Sequence, residues 1–451
     1  MKSFQDYFDV FPRIVPADQE SEIRITPRVP HAELPELDKI TIRCLPVSGQ
    51  FAPEDGKQTE EAGRAIRSAE LRDGSLILRI FFAGEQEHSL ILDLRDLPAR
   101  RASSTWVARD MNAIRFNLYS LYPDLMKLRP YKGDIHLHSL CSDGMEAPEY
   151  VAARYREEGF DFIAVTDHGK YAPSLHTMKF WKDLRNGFRL FPGEEVHTPD
   201  NPVHIINFGG TFSVNDLAKN EPERYRREVE EISRSLPPEL IPDGETPFPV
   251  AASEWAFDRI REGNGLAMFC HPYWQQNRYV IGEWITDAMF RRKKFDIFEV
   301  IGGFYDYQWR SNNCQIARYY EETAKGNRFP VAGVSDSHGT DRDQLAFRNF
   351  TVVLAESDEL ADLIAAMKAG TCAAVEIMGN KIPHVVGGFR LVKYVSFLIQ
   401  DYFPAQTRLC AVEGALMQEI IAGNANAKTA LDALGNRVET YRRNSFGDVE
   451  K

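Results

Sequence analysis

An α/β fold with a parallel sheet is predicted for the middle of this chain, and three observations predict it. From about Lys132 short apolar runs alternate with helical patterns. Each of several runs stops at a polar cluster rich in histidine and carboxylate. Gly and Pro punctuate the joins, as repeated helix–strand units require. In such folds the site is built where the strands end, so the polar clusters fall where a barrel would carry its active site.

The elements follow in order. Residues 1–130 read as an accessory, β-rich, antiparallel domain. Ile40, Ile42 and Cys44 alternate with Thr41 and Arg43, as a half-buried strand does. Asp73-Gly74 is a hairpin signal before the strand Leu76–Phe82, and Gly84 separates that strand from Leu90–Leu94. Residues 131–385 carry the alternating pattern. Pro148–Glu158 is a helix closed by Gly159, and Phe160–Val165 a buried strand leading to Thr166-Asp167-His168. Ser253–Glu262, Ser311–Lys325 and Asp358–Lys368 are further helices. Leu266–Cys270, Phe295–Ile301 and Phe329–Val334 are further strands. The charge-laced segment from Glu221 reads as a solvated helical insertion. Residues 386–451 are a C-terminal helical extension, with helices expected over Ala405–Ala422 and Ala427–Arg443, that could cover the barrel or pair two copies of the chain.

Composition narrows the class. The 451 residues carry 43% hydrophobic and 27% charged side chains, which suits a water-soluble protein of more than one domain. A net charge of -12 argues against general nucleic-acid binding, while bound cations would still let an anionic small molecule approach. No apolar run is long enough for a signal peptide or a membrane span. The six cysteines are scattered without a Cys-x-x-Cys pair, as expected of reduced thiols in a cytoplasmic protein.

Six of the eleven histidines share one setting. His136 and His138 form a His-x-His pair, whose side chains share one face of a strand. Asp143 follows in Ser-Asp-Gly, and His168 ends the next strand. Glu194 and Glu195 follow Pro192-Gly193, and His204 lies in Val-His-Ile. His271 precedes Pro272, and Asp336 and His338 form an Asp-x-His pair. Imidazole with carboxylate is the usual donor set for Zn²⁺, Mn²⁺ or Fe²⁺, and the lack of cysteine donors speaks against a purely structural zinc site. His31, His88 and His384 stand alone and are read as structural or solvent-facing. His176 and His197 are read as surface or supporting residues, and Asp167 as orienting a ligand.

His-Leu-His-Ser with Ser-Asp-Gly, then Thr-Asp-His, Pro-Gly-Glu-Glu, His-Pro and Ser-Asp-Ser-His, in that order, resembles the PHP (polymerase and histidinol phosphatase) superfamily. The match covers about residues 132–376. The phrase from Tyr131 to Ser139 and the appended β domain are more similar to the stand-alone metallohydrolase branch than to the polymerase-linked modules. The resemblance implies a distorted (β/α)7 barrel holding two to three divalent ions per chain. Carried over by motif, His136, His138, Glu195 and Asp336 would hold one ion. Glu195 would bridge to a second ion held by His204 and His271, and Asp143, His168 and His338 would hold a third. Glu195 is preferred to Glu194 because the family pattern is Gly-x-Glu.

The chemistry expected of such a cluster is hydrolysis by a metal-bridging hydroxide, with Asp336, His338 and Glu195 at the reacting centre. No serine or cysteine elbow offers a protein nucleophile. A phosphoesterase acting on a small phosphorylated substrate is the leading expectation, with Arg310 and Arg342 as candidate phosphate-binding residues. Glu299, Tyr273, Trp274, Tyr305 and Trp309 are candidate pocket residues or ordinary packing. A carboxylic ester, carbamate or amide hydrolase on the same ions is the alternative. A silent binding or scaffolding module is a third reading, opposed by the intact ligand set.

Overall fold

The computed structural model describes residues 7–32, 34–49, 65–93, 113–377 and 382–448. Contacts divide the chain into two units. The first comprises residues 1–128, 400–402 and 439–451, and the second 129–399 and 403–438. The C-terminal stretch is thus shared between both units instead of standing alone. No helix among the described residues is long and apolar enough to cross a membrane.

The first unit holds β1 (Phe8–Phe11), β2 (Ile14–Pro16), β3 (Gln19–Pro27), β4 (Thr41–Pro46), β5 (Ile66–Arg72), β6 (Ser75–Phe82), β7 (Gln86–Asp93) and β8 (Ala113–Leu121). They form two four-stranded sheets, β1-β3-β6-β5 and β2-β8-β7-β4. Pairing is antiparallel except for β2 with β8. The hairpin expected at Asp73-Gly74 is present, with both residues at positive φ (51° and 74°) and Arg72 opposite Ser75. Inward residues of the two sheets share one core, including Ile23, Leu78, Leu90 and Phe116. His88 on β7 is buried in this unit, with Nε2 2.8 Å from Ser120 Oγ and its ring edge-on to Phe82.

The second unit holds β9 (Arg129–Asp134), β10 (Phe162–Ile163), β11 (Arg189–Leu190), β12 (Gly193–Val196), β13 (Ile205–Phe208), β14 (Leu266–Phe269), β15 (Ile297–Ile301), β16 (Val331–Gly333), β17 (Asn349–Ala355), β18 (Cys372–Ile377) and β19 (Pro383–Val386). One sheet runs β11-β10-β9-β17-β18-β19 and another β12-β13-β14-β15-β16. Both are mixed, which corrects the expected parallel sheet. The eight-residue link from Val196 to Ile205 is too short for a crossover, so β12 and β13 pair antiparallel, and β13 pairs antiparallel with β14. Isolated bridges join Leu137 to Ser337 and His168 to Glu195, one on each side, linking the two sheets. The ladders do not close into a continuous barrel among the described residues.

Strands buried on both faces explain the unbroken apolar runs. Along β14, Leu266 and Met268 face one cluster while Ala267 and Phe269 face another. The helices Pro148–Glu157, Phe248–Glu262, Arg310–Ala324 and Leu360–Lys368 match the expected ones to within a few residues. Two readings change. The helix Pro222–Ser235 is not simply solvated, because Tyr225 and Val229, one turn apart, are buried against Trp255 and Phe257. The last expected helix is two, Ala425–Leu434 and Arg437–Phe446, interrupted at Gly435, whose φ of 59° is incompatible with a continuing helix.

Candidate metal centre

His136 and His138 lie just past β9, and Asp336 and His338 just past β16. The two segments are stitched by backbone bonds, His138 N to Ser337 O at 2.9 Å and Asp336 N to His136 O at 2.8 Å. Beneath them Asp134 acts as a clasp. Its buried carboxylate accepts from His136 N, Ser335 N and Tyr155 OH, and burial pushes its pKa up to about 6. His168 follows β10, and His271 follows β14. His204 precedes β13, yet it reaches the same end because that strand runs opposite to its neighbours. Asp336 (φ 47°) and His271 (φ 23°) both sit in the left-handed region, a strain that such sites characteristically carry.

Glu195 on β12 is the hub. Its Oε2 lies 2.5 Å from His168 Nδ1 and 3.5 Å from Nε2 of both His136 and His138. Its Oε1 lies 2.7 Å from His204 Nδ1 and 3.6 Å from His271 Nε2. Strand alternation sends Glu194 to the opposite face. There Asn207 Nδ2, Ser213 Oγ, Val214 N and Asn215 Nδ2 all donate to it. Asp336 Oδ1 is 2.9 Å from His138 Nε2 and 3.3 Å from His136 Nε2. Asp143 forms the rim, with Oδ2 3.4 Å from His168 Nε2 and 3.3 Å from His338 Nε2.

Carboxylates and imidazoles of the cluster shift one another's protonation. Burial works against charge on Glu195 and Asp336, yet the surrounding imidazoles hold both carboxyls below their usual range. Burial likewise opposes protonation of His136, His168 and His271, but the carboxylates around them raise all three. Burial lowers His138 and carries His204 down to about 4, leaving neutral rings with lone pairs. His136 Nε2, His138 Nδ1, His204 Nδ1 and both oxygens of Glu195 are buried without a hydrogen-bond partner. Buried polar atoms are rarely left so, and divalent cations are the partners that these donors fit.

All nine residues expected as ligands therefore meet in one place, within overlapping groups compact enough to hold an ion. Within these groups His138 falls with Asp143, His168 and His338 as well as with His136 and Glu195, His271 falls with His136 and Asp336 while also lying 3.6 Å from Glu195, and His197 joins His168, Glu195 and His204. The sequence suggested only a surface or supporting role for His197, although Glu195-x-His197 has the same i, i+2 spacing as the His-x-His pair. It also left the role of Glu299 open. That carboxylate is buried and accepts from His136 Nδ1 at 3.0 Å, which turns Nε2 toward the cluster. His338 Nδ1 similarly donates to the backbone oxygen of Asp336 at 2.9 Å. Asp167 holds the loop before Asp143, accepting from the backbone and hydroxyls of Ser139 and Ser142. Cys270 also lies beside His136 and Glu299, but burial raises its thiol far above the usual range, and Sγ donates to Met268 O.

The cluster opens on a cleft of ≈ 360 Å³ whose walls include Trp274, Gln276, Phe304, Tyr305, Tyr307 and Gln308. Asp143, His168, His204, His271, Asp336 and His338 form its floor. Of the aromatic candidates, Trp274 and Tyr305 line it, Tyr273 is buried elsewhere, and Trp309 is exposed. Arg310 and Arg342 are exposed and do not line the cleft. Arg310 begins its helix with the guanidinium over the Trp309 ring, 5.6 Å from its centre. His176 pairs with Glu149 outside the cluster, and His384 is exposed.

Residues of the chain are 38% identical over 53 positions to the DNA polymerase/3'-5' exonuclease PolX of Bacillus subtilis, a match covering 12% of the chain and 9% of that protein. Among solved structures it is similar to a two-domain protein from Bacteroides vulgatus containing a predicted PHP-like metal-dependent phosphoesterase. That likeness has a TM-score of 0.38 and 18% identity over 56% of this chain and 66% of the other. It is also similar to a protein from Bifidobacterium adolescentis assigned as a metal-dependent phosphoesterase (TM-score 0.32, 20% identity, 48% and 91% of the two chains). A third likeness is to an amidohydrolase from Chromobacterium violaceum with bound sulfate and no metal (TM-score 0.31, 18% identity, 47% and 89%). No protein-family model matches the chain. In its motifs, their order and the short polymerase match, the chain resembles the PHP superfamily.

Proposed function

We propose that this chain is a metal-dependent hydrolase of a small molecule, with phosphoesters as the leading substrate class. The observation that carries the reading is the set of buried, partnerless atoms His136 Nε2, His204 Nδ1 and the Glu195 carboxylate oxygens, gathered beneath an open cleft. The bridges at Leu137–Ser337 and His168–Glu195 support reading β9, β10 and β12 to β16 as a ring of seven strands with the site at one rim. We assign His136, His138, Asp143, His168, Glu195, His204, His271, Asp336 and His338 as the ligand set for two to three ions.

Ions held there would acidify a bound water toward neutral pH and polarise the substrate's oxygens. The chain's own residues supply the rest. Glu299 and the Asp336 carbonyl hold His136 and His338 in fixed tautomers. Asp336 lines the cleft with Oδ1 facing His136 and His138, and is placed to take the proton of an attacking water. His338 and Asp143 at the rim are placed to orient the leaving group. The cleft volume suits a small substrate.

Phosphoesters lead because so large a ligand set can hold several non-bridging oxygens at once, which suits in-line displacement at phosphorus. One observation favours hydrolysis of a carboxylic ester, carbamate or amide: the cleft walls are aromatic and amide-bearing, with no lysine or arginine among the lining residues. The test is a panel of phosphate esters, carboxylic esters and carbamates, run on protein loaded separately with Zn²⁺, Mn²⁺ and Fe²⁺. Faster turnover of phosphoesters and competitive inhibition by inorganic phosphate are expected. Faster turnover of the carboxyl substrates without phosphate competition would replace the leading reading with the second. No turnover with any metal would sink both.

A further inference from the structure

We infer that His197 is a ligand of this chain's metal centre, sharing a divalent cation with Glu195 and His204; the inference rests on the proposed function. His197 follows β12 two residues after Glu195, so the two side chains project from the same face. Its backbone N donates to Asn215 Oδ1 at 2.8 Å, and Asn215 Nδ2 donates to Glu195 O at 3.0 Å, so one side chain ties both residues. His197 Nε2 lies 3.5 Å from Glu195 Oε1, and Glu195 Oε1 lies 2.7 Å from His204 Nδ1. The His197 and His204 rings are 4.1 Å apart between centres. A single ion can therefore reach one donor atom from each.

His197 Nε2 also lies 2.8 Å from His168 Nδ1. His168 Nδ1 lies 2.5 Å from Glu195 Oε2. On the other side of the ring, His168 Nε2 lies 3.4 Å from Asp143 Oδ2. His271 groups with His136 and Asp336 and also lies 3.6 Å from Glu195 Oε1. A corner of two imidazoles and one carboxylate suits a borderline cation such as Zn²⁺ or Co²⁺ better than Mg²⁺.

The experiment uses the full chain freed of metal by chelation and titrated with Co²⁺ and Zn²⁺, reading bound ions per chain, affinity and the visible cobalt spectrum. His197→Ala is expected to weaken retention of one ion by ~10-fold or more while the remaining ions stay bound. His176→Ala, outside the cluster, is the control and should leave retention unchanged. His197→Cys replaces the imidazole with a thiolate donor and, with Co²⁺ bound, should give a sulfur-to-cobalt charge-transfer band. A residue that only hydrogen-bonds His168 cannot produce that band. Unchanged retention in His197→Ala together with no such band in His197→Cys overturns the assignment and leaves the proposed function standing. A wild-type chain that binds neither cation overturns both.

Discussion

His88 in the first unit and His136 in the second are both closed off from solvent, and they are kept there by different means. His88 is 3% exposed and has one neutral partner, the Ser120 hydroxyl, with an aromatic ring against its face. Burial alone then decides its charge, carrying its pKa down to about 4. His136 is 0% exposed, yet it faces Glu299, Asp336 and Glu195 at 3.0, 3.3 and 3.5 Å, and its Nε2 has no hydrogen-bond partner. Carboxylates there overcome burial and raise its pKa. The same residue type stays a neutral packing group among neutral neighbours and is drawn toward its charged form among anionic ones.

The widest gap between the two settings should appear in activity. His136→Ala, His271→Ala or His338→Ala should lower turnover by at least ~10²-fold and reduce the ions bound per chain, because a lost ligand costs more than a lost supporting residue. His88→Gln should leave ion content per folded chain unchanged. Elemental analysis and initial rates check both, and equal ion loss in the two groups would erase the distinction drawn here.

Next in size is the effect of the ions on stability. Added Zn²⁺ or Mn²⁺ should raise the thermal midpoint of the wild-type chain, and a chelator should reverse it, since an ion bound only by the folded state stabilises it. His136→Ala should respond less. An identical rise in both proteins would place the stabilising ion elsewhere.

Glu299→Gln sharpens the comparison, because it removes the charge that orients His136 and keeps the volume. Metal retention should fall ~10- to 100-fold, with the substrate's KM changing less than kcat at saturating metal. Retention equal to wild type would reduce Glu299 to packing.

The pH test probes the other region. His88 has a folded pKa of about 4 against an ordinary 6.5, so the unfolded chain binds more protons between those values. Stability from keeping the ring neutral is fully present above pH 6.5 and is lost as pH falls toward 4, by up to ~3 kcal/mol. Denaturant melts of wild type and His88→Gln across that window should converge at the acid end. A constant difference would mean that His88 does not carry the linkage. The smallest effect is expected at His384, half exposed at the edge strand, where alanine should change neither ion content nor rate.

The unbroken apolar runs, the Asp73-Gly74 turn, the His-x-His and Asp-x-His spacings and the positions of most helices were legible in the sequence, because each is a local rule about backbone conformation or side-chain period. The ligand-type residues could be picked out for the same reason, as polar residues at the margins of apolar strands. Tertiary structure alone decided the mixed direction of the sheets, since strand pairing depends on where a distant chain segment arrives. It decided that Arg310 and Arg342 lie off the cleft, because side-chain direction at a helix start or in a loop has no period to read. It also brought His197 and Glu299 to the cluster. A histidine's charge and its free lone pair depend on neighbours from remote parts of the chain, and those distances come into being only when the chain has folded.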